Sequence, residues 1–104
     1  MTEKPKKETL RMAEIKGNSI KWKYRKSERY YCEATGETDE IAIAIVLARL
    51  EHSKERFRTL ELDTVIRCYD VEATTIMGGT VITRPMMPEW TPRLNGYKEY
   101  PLPK

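Results

Sequence analysis

The sequence predicts an α+β fold, in which a small and mainly antiparallel sheet carries one long helix packed across it. Apolar and basic side chains alternate strictly over residues 20–25, and the apolar pattern resumes at 29–34, which is typical of a β-hairpin. Residues 38–57 have the apolar spacing of an amphipathic helix. Two further apolar stretches, 60–71 and 80–84, are predicted strands, and such elements pack as a sheet covered by a helix.

Length and composition indicate one soluble domain. The chain has 104 residues, of which 34% are charged and 39% hydrophobic, as in folded soluble proteins. No apolar run reaches the roughly 18 residues that a membrane span requires. The first residues lack the apolar stretch of a secretory signal. We therefore expect a cytoplasmic protein that makes no membrane contact.

Composition divides the chain into three parts. Residues 1–8 are rich in lysine and are expected to form a flexible basic tail. Residues 9–84 are expected to form a single α+β domain. Residues 85–104 hold five of the six prolines, interleaved with aromatic side chains, which predicts an extended arm. Such an arm lays its side chains into a groove, either of its own domain or of another chain.

The first strands are predicted from turn signals and from alternation. A strand over residues 9–16 ends at Gly17-Asn18, a two-residue hairpin turn. A second hairpin then pairs residues 20–25 with 29–34. The register that keeps the large apolar side chains on one face sets Tyr24 opposite Tyr30, Trp22 opposite Cys32 and Ile20 opposite Ala34.

The helix is apolar on two sides. Thr38 is placed to cap its first turn, where Asp39 and Glu40 interact favourably with the helix dipole. One stripe covers the sheet; it comprises Ile43, Val46, Leu47, Leu50 and Phe57. The second stripe comprises Ile41, Ile45, Ala48 and His52. A second stripe requires cover from another direction, by the ends of the chain or by another molecule.

The remaining strands follow the same alternation. The stretch 60–71 is expected as one strand, and Gly78-Gly79 marks a turn before a short strand at 80–84 that Pro85 ends. The face of the longer strand that points inward would comprise Leu60, Leu62, Thr64, Ile66 and Cys68.

The sequence gives little support to catalysis. His52 is the only histidine, and its place in the second stripe favours a packing role over that of a general base. Gly78-Gly79 is a turn signal rather than an anion-binding nest. The acidic residues Asp63, Asp70 and Glu72 are ordinary positions on or near a strand. We expect a non-enzymatic protein without a cofactor.

The cysteines point in the same direction. Cys32 and Cys68 lie in apolar, strand-like settings and are expected to be buried thiols in a reducing compartment. The alternative is a disulfide bond between them, which requires that their strands be neighbours. With His52 they supply only three candidate ligands and no CxxC pair, so no metal site is predicted.

Protein association is the function that the sequence favours. The second stripe and the proline-rich arm are both apolar surfaces in need of a partner, on a larger assembly or in a homodimer. The alternative is that the arm folds back over the second stripe within one monomer. The expected contacts with a partner are Trp90, Leu94, Tyr97, Tyr100, Leu102, Ile41 and Ile45.

Nucleic-acid binding is the alternative function. Residues 1–31 carry a net charge of +6 and the rest of the chain −3, so the positive charge is local. Basic side chains on the outer face of the hairpin would contact phosphates, with one tyrosine as a stacking surface. This set comprises Lys21, Lys23, Arg25, Arg29 and Tyr31.

The order of hairpin, Thr-Asp-Glu helix start, helix and returning strand covers Tyr30 to about Arg67. It resembles the order in several small phage-encoded proteins, among them inhibitors of bacterial RNA polymerase. The resemblance implies a small regulatory or inhibitory binder, and it transfers no functional residue to this chain.

Overall fold

The computed structural model describes residues 6–23, 26–76, 79–83 and 95–103. Within these ranges one helix packs on a six-stranded antiparallel sheet, which confirms the α+β class. The elements in chain order are β1 (Lys6–Lys21), β2 (Glu28–Gly36), α1 (Asp39–Lys54), β3 (Phe57–Leu62), β4 (Val65–Ile76), β5 (Gly79–Thr83) and β6 (Lys98–Pro101).

The long strand β1 organises the sheet. On one side it pairs with β2 over residues 11–19. On its other side, β4 pairs with residues 6–14 and β3 with residues 17–21. The far edge of β4 is shared by β5, which pairs with residues 72–76, and β6, which pairs with 65–68. The order across the sheet is therefore β2-β1-β4-β5.

The predicted turn at Gly17-Asn18 and the predicted register of the second hairpin are both wrong. β1 runs straight through Gly17 and Asn18, and Cys32 lies opposite Ile15 rather than opposite Trp22. Ala34 accordingly lies opposite Ala13 instead of Ile20. The chain turns only after β1 ends at Lys21, so Trp22 belongs to a turn and not to a strand.

Gly17 serves close packing rather than a turn. A Cβ atom at this position would lie 2.2 Å from the carbonyl oxygen of Glu61, which belongs to the neighbouring strand β3. Only glycine lets the two backbones approach so closely. The same residue type is a turn signal in sequence, and that signal does not distinguish a turn from close packing of two strands.

The stretch 60–71 is divided between two strands. Leu60 and Leu62 belong to β3, and Ile66 and Cys68 to β4, and all four pack in the core beneath the helix as predicted. Thr64 falls in the break between the strands. The break is bridged to β1, because the backbone N–H of Asp63 donates to the carbonyl of Lys16 over 2.8 Å. The predicted short strand is β5.

The helix begins as predicted. Thr38 is its N-cap, and its hydroxyl accepts a bond from the backbone N–H of Ile41 over 3.3 Å. The helix ends at Lys54, which pairs with Glu51 at 2.6 Å. Phe57, predicted as the end of the first stripe, instead opens β3 and packs edge-on against Tyr30 at a centroid distance of 5.4 Å.

The core has two parts, one on each face of the sheet. The larger lies between α1 and the sheet and is built on Ala42, Val46 and Leu50 of the helix. The smaller lies on the face opposite to α1 and comprises Met12, Tyr69 and Val71, with Leu10 and Tyr97 packed beside them.

Both predicted ends of the chain contribute to the sheet. β1 starts at Lys6, inside the segment expected to be a flexible tail. The described part of the proline-rich arm supplies β6, and its Tyr100 and Leu102 pack against the larger core. None of the helices in the described ranges is long and apolar enough to cross a membrane.

Candidate functional site

The candidate site is an open groove between α1 and the edge strand β2, called here the α1–β2 groove. It encloses about 800 Å³. Its strand side is formed by Tyr31, Cys32 and Glu33. Its other lining residues are Ala44, Ile45, Ala48, Arg49, His52, Ser53 and Arg56.

The apolar surface of this groove comes from the second stripe of the helix. α1 turns Ala42, Val46 and Leu50 to the sheet and leaves Ile41 45% exposed and Ile45 37% exposed. Exposed side chains of this size are informative when they adjoin one another, because isolated ones are common on any protein. Here Ile45 and Ala48 both line the groove, and Ile41 lies one helical turn before Ile45 on the same stripe.

The strand side of the groove is formed by β2, the outermost strand of the described sheet on this side. Within the described ranges, β2 pairs with β1 on one side and with no strand on the other. The Arg49 guanidinium donates to the backbone carbonyl of Glu33 over 2.7 Å, so that carbonyl points away from β1 and into the groove. The thiol of Cys32 lies 3.9 Å from the carbonyl of Val46 and holds the helix against the strand.

The rim of the groove is mainly basic. Arg49, His52 and Arg56 line it from the helix and the residues that follow. The one acidic side chain in the lining is Glu33, whose carboxylate accepts a bond from the hydroxyl of Tyr31 over 2.5 Å. An incoming acidic group would therefore meet the guanidinium groups of Arg49 and Arg56.

A second groove, of about 950 Å³, lies on the opposite flank of α1, but its polar groups bind one another. Arg11 donates to Asp39 over 2.5 Å and to Asp70 over 2.8 Å. Tyr100 donates to Asp39 over 2.5 Å, and Asn95 donates to Asp70 over 2.9 Å. We call this set the Arg11 clasp, because it joins β1, α1, β4 and the C-terminal segment.

The electrostatics of the Arg11 clasp are those of a structural ion network. The bond from Arg11 holds the pKa of Asp39 below its usual value. The same carboxylate accepts the Tyr100 hydroxyl and raises the pKa of that tyrosine. Gly96, at a φ of +67°, passes so close that a Cβ there would lie 2.5 Å from a guanidinium nitrogen of Arg11. These contacts fix the C-terminal segment to the sheet and to α1, which is a structural role.

A buried carboxylate on the other face of the sheet was missed from sequence. Glu14 is only 5% exposed, and its Oε2 atom lies 2.8 Å from the hydroxyls of both Tyr31 and Tyr69. Burial, followed by the bond to Glu14, raises the pKa of Tyr69. No sequence signal marks Glu14, because its partners come from β2 and β4 and depend on the register.

The residues predicted to bind a protein separate into two groups. Ile41 and Ile45 are exposed on the second stripe. Tyr97, Tyr100 and Leu102 instead pack on the sheet of their own chain. Tyr100 and Leu102 pack in the larger core beneath α1, whereas Tyr97 packs in the smaller core on the opposite face of the sheet. Trp90 and Leu94 lie outside the described residues.

The residues predicted to bind nucleic acid do not share one strand face. Lys21 ends β1, Lys23 lies in the turn after it, and Arg29 lies on β2 opposite Asn18. Tyr31 is half exposed and its hydroxyl contacts Glu14 and Glu33. Arg25 lies outside the described residues. Trp22, predicted to be buried, is 67% exposed beside the two lysines.

The residues considered for catalysis or metal binding do not cluster in the described part of the chain. Asp63 pairs with Arg67 at 3.3 Å, and Asp70 belongs to the Arg11 clasp. Among the residues that the structure describes, no three His, Cys, Asp or Glu side chains are arranged to hold a metal ion. Cys32 and Cys68 are free thiols, and burial raises the pKa of Cys68 to about 11.

His52 is exposed at the rim of the α1–β2 groove. Gly78 lies outside the described residues, so the predicted Gly-Gly turn is described only from Gly79, the first residue of β5. No family model, curated protein or solved structure matches this chain.

Proposed function

We propose that this chain is a non-enzymatic protein-interaction module, a small regulator or accessory subunit that docks on a larger protein through the α1–β2 groove. The observation that carries the proposal is an exposed apolar strip on α1 that lies beside the outermost described strand of the sheet. Ile41 and Ile45 form the strip, and β2 provides the edge.

Both features suit the binding of a partner. Covering an exposed isoleucine contributes roughly 1–2 kcal/mol at about 25 cal/mol per Å² of apolar surface. Proteins also use the edge strand of a sheet as a surface for binding a partner. The groove joins the two features side by side, so one docked segment would contact both.

The described arm residues are not part of the proposed contact surface. Tyr97, Tyr100 and Leu102 have apolar neighbours in their own chain, and removing them from those neighbours would open the core. Their role in the proposal is to fix the C-terminal segment, Tyr100 through the Arg11 clasp and Tyr97 and Leu102 through apolar packing. The exposed surface of α1 is left to the partner.

Nucleic-acid binding remains the second candidate because of Trp22. This indole is 67% exposed in the turn after β1, and Lys21 and Lys23, its neighbours in sequence, are exposed, as is Lys26. A base can stack on the indole while the lysines contact the phosphates on either side. A strong decrease in affinity with added salt would be the signature of such binding.

One pull-down distinguishes the two candidates. The full chain is tagged and used in lysate, with half of each sample treated with nuclease. The Ile45→Asp variant removes the apolar strip, and the Trp22→Ala variant removes the stacking surface; both positions are exposed, so both variants are expected to fold.

We expect a stoichiometric protein that survives nuclease, is lost with Ile45→Asp and is kept with Trp22→Ala. The circular dichroism spectrum of each variant serves as the control for folding. The protein-binding proposal fails if Ile45→Asp retains every captured protein. If nuclease or Trp22→Ala removes all captured material, nucleic acid is the ligand instead.

A further inference from the structure

We infer that the α1–β2 groove binds an amphipathic helix of a partner protein, which lies antiparallel to α1 with apolar side chains on one face and acidic side chains in its first turn. This inference rests on the proposed function and names the form and the charge of the docked segment. It follows from the contacts that β2 already makes, the spacing of the exposed apolar side chains on α1, and the position of two arginines.

The strand side of the groove favours a ligand that needs no main-chain partner. The carbonyl of Glu33 accepts the Arg49 guanidinium over 2.7 Å, and the hydroxyl of Tyr31 bonds to the Glu33 carboxylate. Tyr31 and Glu33 both make further contacts. An added strand depends on hydrogen bonds to main-chain groups of the edge, whereas a helix satisfies its own backbone and docks through side chains alone. β2 is therefore a wall for a docked helix rather than a template for a new strand.

The exposed apolar side chains of α1 have the spacing of a surface that packs against another helix. Ile41 and Ile45 lie one turn apart, and Ala44 and Ala48 form a neighbouring row of shorter side chains, also exposed. A row of large side chains beside a row of small ones is a ridge next to a groove, and helices pack by this means at about 8–10 Å between their axes. Large apolar side chains of the docked helix would fill the alanine row and cover the two isoleucines.

Arg49 and Arg56 set the charge of the docked helix. Both are exposed at the rim of the groove, Arg49 in the second half of α1 and Arg56 just after its end at Lys54. The carboxylate of Glu33, the acidic group in the lining, is bonded to Tyr31. Carboxylates of the docked helix would therefore pair with the two arginines, which adds specificity and speeds association.

The orientation of the docked helix follows from where these arginines lie along α1. Both are near the C-terminal end of α1. Acidic side chains are favoured in the first turn of a helix, where they interact with the helix dipole. An antiparallel helix brings its first turn to this end of the groove, so the same carboxylates stabilise the docked helix and pair with the arginines.

A second copy of α1 does not meet this requirement. In an antiparallel pair related by a two-fold axis, the flank of α1 that faces β2 meets the same flank of the other copy. Asp39 and Glu40, the acidic residues in the first turn of α1, line the groove on the opposite flank, and Asp39 is bound to Arg11. Their carboxylates would not reach Arg49 or Arg56 of the other copy, so the charges favour a different protein.

The test uses a synthetic peptide of about four helical turns, with glutamates in its first turn and leucines at helical spacing along one face. A hydrocarbon staple on the opposite face holds the peptide helical. One control peptide has lysine in place of every glutamate. A second control, without the staple, has the same composition with leucine at every other position, which is the pattern of a strand. Binding to the full chain is measured by fluorescence anisotropy.

We expect saturable binding of the acidic helical peptide, and binding at least roughly tenfold weaker for both control peptides. Ile45→Asp and Arg56→Glu should each weaken binding of the acidic peptide roughly tenfold, because the first places a charge in the apolar contact and the second replaces an attraction by a repulsion. Arg58→Glu is the matched control. Arg58 is exposed on β3, on the face opposite to Phe57 and outside the groove lining, so its reversal should change the affinity by less than about twofold.

The outcomes separate this inference from the proposed function. Equal binding of the alternating peptide or of the lysine peptide would overturn the helical form or the acidic charge of the ligand. If no peptide binds but Ile45→Asp still loses a protein from lysate, the proposed function stands and this inference is overturned. If neither occurs, both proposals fall. A concentration-dependent dimer that Ile45→Asp abolishes would assign the groove to a second copy and would also overturn the inference.

Discussion

Asp39→Asn tests whether the Arg11 clasp stabilises the fold. Asp39 lies in the first turn of α1, and its side chain is 14% exposed. It accepts two bonds from Arg11, at 2.5 and 3.3 Å, and one from Tyr100. The asparagine has nearly the same shape, so the substitution removes the charge and little else. Arg11 keeps its bond to Asp70 at 2.8 Å.

The expected loss follows from these contacts. A hydrogen bond to a charged group contributes roughly 1.5–3 kcal/mol, and a neutral one about 1 kcal/mol, so replacing the carboxylate by an amide costs about 1–2 kcal/mol. Losing a negative charge at the helix N-terminus adds roughly 0.5 kcal/mol. The free energy of unfolding should fall by about 2 kcal/mol, which lowers the Tm of a domain of this size by roughly 10 °C.

Urea unfolding provides the assay, and Glu40→Gln is the matched control. Glu40 lies in the same turn and is exposed, so its neutralisation should cost only the dipole contribution of roughly 0.5 kcal/mol. A loss of equal size in the two variants would refute the assignment of the clasp as a stabilising network.

The dependence on pH gives a second readout. Arg11 lowers the pKa of Asp39, so the stabilisation is present in full above the ordinary pKa of an aspartate, about 3.9, and is lost as the pH falls through the lower pKa of the folded state. The difference between the native sequence and Asp39→Asn should therefore close in acid. A difference that persists there would mean that the charge on Asp39 is not its source.

Two further predictions concern the close approach of β1 and β3 at Gly17 and the two thiols. Gly17→Ala should lower the free energy of unfolding in urea by roughly 1–3 kcal/mol, because its Cβ would overlap the Glu61 carbonyl. Gly79→Ala should lower it much less, since a Cβ there meets nothing within 4 Å. Equal losses in the two variants would contradict the close approach. In the folded protein at pH 8, an aromatic disulfide reagent should modify Cys32 well before Cys68. Cys32 is only half buried, whereas burial raises the pKa of Cys68 to about 11 and keeps that thiol protonated. Equal rates of modification would show that Cys68 is accessible.

The helix was predictable because its signals are local. Thr38 and the acidic residues after it mark the start of α1, and the two apolar stripes follow from the spacing of side chains along one element. The second stripe could therefore be identified from sequence. Its exposure could not, because exposure depends on what the rest of the chain covers.

The register of the sheet was not predictable from alternation. Alternating side chains at residues 20–25 are typical of a strand, yet β1 ends at Lys21, and Trp22 lies in a turn. The register depends on the pairing of β1 with β3 at Gly17, a long-range contact that no local sequence pattern indicates. Glu14 and the edge of β2 were missed for the same reason.

The candidate site is a consequence of this topology. Two residues, Glu37 and Thr38, connect β2 to α1, so the helix must return over the strand that it has just left. β2 lies at the edge of the sheet because the other side of β1 is occupied by β3 and β4. The helix stripe and the strand edge are therefore brought to the same flank by the connection and the strand order together. The basic rim follows from residues 49–56 of the same segment, which continue along that flank. The groove therefore combines an apolar wall with a basic rim, and the Ile45→Asp pull-down tests whether the apolar wall is what a partner binds.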